Sequence, residues 1–133
     1  MQKHEHESWV KTFGQNLMHS VRDEAIESSF KLLNQELKDK TSDELGGKLN
    51  NLSPDQKEAL RDVIIDSIDA TLMHFLEMIQ QQRDGIDLSF KHKNNRFNLE
   101  DTTVDLLEDY WGFIAQYSAY KMVEKEPFFV KTD

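Results

Sequence analysis

SPDQKEALRDVIIDSIDATLMHFLEMIQQQR, residues 53–83, is the stretch whose reading decides the fold. Ser53 before Pro54 is a strong helix start. A Ser at the N-cap accepts a bond from an orphan backbone N–H, and Pro at the first helical position loses no bond. Gln56 stands three residues after Ser53, as a capping box requires, and Asp55 sits at the positive end of the helix dipole. Leu60, Ile64, Ile68, Leu72, Phe75, Leu76 and Ile79 then recur every three or four residues, which is a helical period. Val63, Ile65, Met73 and Met78 widen that apolar face. Asp62, Asp66, Asp69, Glu77 and Gln80 are expected to gather on the opposite, polar side.

Gly85 supplies a stop. A helix of about 30 residues is about 45 Å long. A domain of this size has a radius of gyration of about 14 Å. Such a helix must kink, protrude or pack against a second copy. Central packing is the expectation, with contact to a second copy, as a homodimer, the alternative. The chain is thus read as mostly α within the α+β class: a helical bundle around one long central helix, with a single small antiparallel β-hairpin.

The chain has 133 residues, and one domain over 1–133 is expected, with 1–7 and 128–133 as flexible ends. Charged residues are 31 % and the net charge is −9. Nucleic acid is disfavoured, because phosphate neutralisation needs Lys and Arg patches, and an anionic membrane surface is disfavoured for the same reason. No stretch reaches the roughly 18 apolar residues of a membrane span. There is no cysteine, which removes thiol catalysis, disulfides and Cys-based zinc sites and suits a reducing compartment. The first seven residues lack the apolar core of a secretory signal. A cytoplasmic location is expected.

Trp9, Phe13, Leu17 and Val21 mark a first helix. A second stripe, Ile26, Phe30, Leu33 and Leu37, starts at a different angular position. Residues 9–37 therefore form either one bent helix or two, with Ser20 as a fresh start. Leu45, Leu49 and Leu52 point to a short helix inside the Gly46-Gly47 region. Its glycines match neither a Walker loop nor a dinucleotide fingerprint. Ile86, Leu88 and Phe90 alternate with polar residues, Asn94-Asn95 signals a turn, and Phe97 and Leu99 alternate beyond it. This predicts a hairpin of Ile86–His92 with Arg96–Leu99, apolar side inward. Lys91, Lys93, Arg96 and His92 would form a small basic outer face that protects the edge. Thr102 with Asp105 opens a last helix with two apolar faces. One carries Leu107 and Trp111, the other Leu106, Tyr110, Phe113, Tyr117 and Tyr120. Pro127 is expected to end it.

Chemistry is sparse. His4-Glu-His6 is a poor metal site, since histidines two apart on a helix diverge. No pair of Glu-x-x-His motifs exists for a dinuclear centre. There is no Gly-x-Ser-x-Gly and no His-Glu-x-x-His. No catalytic residue, metal ligand or cofactor is therefore assigned. Ser67, Thr71, His74 and Met78 fall on one line beside the apolar face. Either Ser and Thr satisfy carbonyls one turn back, or the line borders a ligand pocket of Ser67, Thr71, His74, Tyr110 and Tyr117. Phe128, Phe129 and Val130 form an apolar end suited to contact with a partner. The expected function is a non-enzymatic protein-binding or interaction module. A carrier or enzyme with a small-molecule or metal pocket at His74 is the rival. An immunity or antitoxin-type inhibitor masking a basic surface is a further alternative.

Overall fold

The computed structural model describes residues 3–36, 39–81, 88–99 and 102–124, with side chains from Ser8 onward. It is mostly helical. α1 (Lys3–Asn16) runs through a π-helical segment (Leu17–Arg22) into α2 (Asp23–Leu33). α3 (Lys40–Leu49) leads to α4 (Pro54–Gln81), followed by β1 (Ser89–His92), β2 (Asn95–Asn98) and α5 (Leu106–Tyr117). No helix among the described residues is long and apolar enough to cross a membrane.

The two apolar stripes of the N-terminal region belong to one continuous helical rod. Asn16, Arg22 and Asp23 all keep right-handed helical dihedrals, so Ser20 is not a break. The Asp23 N–H bonds to the carbonyl of Met18, five residues back instead of four. This wide turn shifts the phase of the helix, which is why the stripes are offset in sequence yet share one buried side. The shift has two consequences. Val21, expected on the core stripe, is 43 % exposed, whereas Met18 and Arg22 are both fully buried.

α4 begins as its cap demands. Ser53 N–H donates to Gln56 Oε1 at 2.8 Å, and Gln56 N–H donates to Ser53 Oγ at 3.1 Å. Its orientation departs from expectation. Asp69 is 3 % exposed, while Val63, Phe75 and Met78 are 57 %, 50 % and 43 % exposed. The apolar residues of α4 extend too far around the helix for the core to take them all. A buried arginine on the rod draws Asp69 inward and turns Phe75 out. Gln80, also placed on the polar side, donates to Val104 O and accepts from Leu106 N–H, so it holds the start of α5.

α3 occupies the expected connection. Asp39 caps it, accepting from the N–H of Ser42 at 2.8 Å and its hydroxyl at 2.6 Å. The hydroxyl bond above all, and then the backbone bond, hold the Asp39 carboxyl below its usual pKa. The hairpin pairs Phe90 with Phe97 and Lys91 with Arg96. Its turn is Lys93-Asn94, one residue earlier than expected, and both have positive φ. Leu88 and Leu99 extend the pairing, and Ile86 lies outside the described residues. Trp9 stacks on Phe90 at 4.6 Å and on Phe97 at 6.0 Å, which docks the hairpin on α1. His92 is not part of an outer basic face: its Nε2 lies 3.1 Å from Ser8 Oγ on α1.

α5 starts later than Thr102, at Leu106, with Asp105 accepting from Glu108 N–H. Thr102 instead makes a turn, donating to Leu99 O. The helix ends at Ser118 in extended conformation, well before Pro127. Leu106, Tyr110, Phe113 and Ile114 are buried, but Trp111 is 46 % exposed. Gly14 allows α1 to cross α5 closely: a Cβ there would collide with the ring of Phe113.

Candidate functional site

Beyond α5, residues 118–124 run back across the bundle as a strap. A buried polar network fastens it. Arg22, the last residue of the π segment, donates from Nε to Asp69 Oδ1 at 2.7 Å and from Nη2 to Asp69 Oδ2 at 3.0 Å. This is the two-pronged geometry in which a guanidinium binds a carboxylate best. Its Nη1 donates to Ser118 Oγ at 2.7 Å and to Tyr120 O at 2.6 Å. The Tyr110 hydroxyl donates to Asp69 Oδ1 at 2.5 Å. Asp23 completes the strap's anchorage, accepting from the Ser118 hydroxyl and from Ala119 N–H.

Burial and bonding set the ionisation of these groups. Burial lowers the Arg22 pKa, and the bonds and charge of Asp69 more than offset it, leaving the value raised. Burial is also the first cause that raises Tyr110, with its bond to the Asp69 carboxylate adding to it. The guanidinium thus stays charged and the phenol stays protonated. Arg22, Asp69 and Tyr110 bond chiefly to one another and to the strap.

In front of it lies a cleft of about 440 Å³ between α4, α5 and the strap. Met73, Leu107, Trp111, Met122 and Val123 give it an apolar lining. Asp66, Asp69, His74 and Glu77 contribute the polar side. His74 is 81 % exposed in its side chain, with Nδ1 3.8 Å from Glu77 Oε2. A second hollow of about 550 Å³ adjoins it on the other side of the strap and shares Trp111 and Met122.

The residues read from sequence as one pocket lie on separate surfaces. His74 lines the cleft. Ser67 and Thr71 border a different groove, between α4 and the N-terminal rod, and Thr71 also donates to Ser67 O at 2.8 Å. Tyr117 lines an open hollow between α1 and α5. Tyr110 is fully buried against Asp69. Phe128, Phe129 and Val130 lie outside the described residues, as do the side chains of His4 and His6. Arg22, Trp111 and Met122 were not singled out as site residues. A signal for Arg22 was present: Met18, Arg22 and Ile26 are spaced by four, which puts an arginine in line with core residues.

Among the described residues, no group of three or more His, Asp or Glu side chains converges on a point that could hold a metal ion. No family model, curated protein or solved structure matches the chain.

Proposed function

We propose that this chain is a non-enzymatic, cytoplasmic protein-binding module whose α4–α5 cleft receives an apolar side chain flanked by cationic residues of a partner. The observation that carries the reading is the half-exposed Trp111 over an apolar floor, beside Asp66 and Glu77. Aromatic anchors in partly desolvated hollows dominate interface energetics. The carboxylates, on a chain of net charge −9, favour a basic partner and steer its approach. An inhibitor that covers a basic surface is one form of this function. The self-contained network behind the cleft supports binding over catalysis, since its ionisable groups already bond to one another.

A second reading has its own support. The cleft volume falls in the range of small-ligand pockets, and a cationic molecule with an apolar body would fit the same lining. Photo-crosslinking separates the two. Benzoylphenylalanine is placed at position 111 and, as a control, at exposed Lys48, and crosslinking is done in the native host. The expected result is one dominant protein adduct from position 111, joined through a segment that pairs Lys or Arg with apolar residues. Equal labelling from both positions would refute the reading. Native mass spectrometry showing a small-molecule adduct that Trp111→Ala removes would favour the pocket instead.

A further inference from the structure

The outward face of α4, from His74 at the cleft's edge round to the N-terminal rod, holds a second feature, independent of the function proposed above. Val63, Ser67, Thr71, His74, Phe75 and Met78 are exposed there and none is an acid, a lysine or an arginine, in a chain whose residues are 31 % charged. Asp66 and Glu77 keep to the cleft side. Next to the strip lies a groove of about 290 Å³, formed by Ser67, Ile68, Thr71 and Leu72 of α4 with Val21 and Ala25 across from them. The wide turn brings Val21 to this position, because it rotates that residue out of the core.

We infer that this face binds a second copy of the chain, with α4 antiparallel to its mate and Phe75 of each copy seated in the groove of the other. Three observations single out a second copy. Phe75 is a half-exposed aromatic ring beside an apolar groove on its own helix. The knob lies about five residues, or about 8 Å, along the axis from the groove's centre. A two-fold axis near Leu72 therefore places both knobs in both grooves at once, which is the self-complementarity a symmetric dimer requires. Lastly, copies of a chain at −9 repel one another, and a charge-free face is where that repulsion is weakest. Each copy offers one aromatic knob and one shallow groove, so the dimer is weak, with Kd on the order of 100 μM.

Sedimentation equilibrium of the full chain from 10 μM to 1 mM tests this. A monomer–dimer equilibrium is expected. Phe75→Ala should weaken it by about 100-fold, because symmetry removes the anchor twice and one anchor accounts for about tenfold. Ser67→Arg, at an exposed position, should do likewise, and circular dichroism confirms that both variants stay folded. The absence of native cysteine permits a second readout. Thr71→Cys, near the two-fold axis, should form an intermolecular disulfide under oxidised glutathione at least tenfold faster than Lys48→Cys. A monomer throughout the range, a dimer unaffected by both face variants, or equal crosslinking rates would overturn the inference.

Discussion

Replacing Asp69 by Asn is the sharpest probe of how this fold holds together. The change is nearly isosteric, so packing is preserved and only charge and bonding are altered. Asp69 accepts three hydrogen bonds, two from Arg22 and one from Tyr110. Arg22 is 0 % exposed, so its charge cannot turn to water once the carboxylate is gone. Breaking a buried pair by removing one partner costs about 3–5 kcal/mol, mostly through the charge left behind. A domain of this kind has about 5–15 kcal/mol in total. Asp69→Asn should therefore lose about a fifth or more of the stability and lower Tm by roughly 10–20 °C. Urea unfolding followed by circular dichroism measures the cost. The double variant Arg22→Met, Asp69→Leu removes both charges and should lie within about 2 kcal/mol of the wild type, since an apolar pair can replace an ionic one. That variant also loses the strap bonds to Ser118 and Tyr120 and leaves the buried Tyr110 hydroxyl without its acceptor, and these together account for the remaining deficit. A cost below about 1 kcal/mol for Asp69→Asn, or a double variant as unstable as the single, would show that this pair does not organise the core.

Two further outcomes follow from the burial of Tyr110 and the packing around two glycines. Tyr110 has a raised pKa in the folded state, so its contribution is full below the unfolded phenol value of about 10 and is lost as pH rises above it. Stability measured from pH 8 to 11.5 should fall above pH 10 and fall less in Tyr110→Phe, and equal slopes would contradict this. Gly14→Ala gains helix propensity but overfills the contact with Phe113, for a net loss of about 1–2 kcal/mol, whereas Gly112→Ala, with open space around it, should gain about 0.5–1 kcal/mol. Thermal melts of the two variants should move in opposite directions.

The elements themselves were legible wherever local chemistry decides them. The Ser53–Gln56 cap, the long helix, the short helix around Gly46 and the hairpin are all written in periods and turn residues. Legibility failed where two elements compete for one space. α4 has apolar residues over more of its circumference than a small bundle can cover. Periodicity alone could not say whether Asp69 or Phe75 faces inward; the answer depends on Arg22, 47 positions away. Of the pocket read from sequence, only His74 reaches the α4–α5 cleft: Tyr110 is buried against Asp69, Ser67 and Thr71 border the groove beside the rod, and Tyr117 lines the hollow between α1 and α5. The spacing of Trp111 puts it on an apolar face, and nothing in that spacing distinguishes a buried ring from the half-exposed one the structure shows.

The wide turn at Leu17–Arg22 also bears on how this protein could have arisen and how it could be lost. A π segment is what one extra residue makes of an α-helix. Deleting a residue there, Ser20 for instance, would restore an unbroken α-helix whose two halves keep their present orientation, because the wide turn already absorbs the extra residue. Tightening the same residues into a regular α-helix without shortening the chain would instead turn everything after the segment by about 100° relative to everything before it. Trp9 could then meet the hairpin, or Arg22 could meet Asp69, but one rod could not satisfy both. At this length of chain, the irregular helix is thus the one that closes the fold.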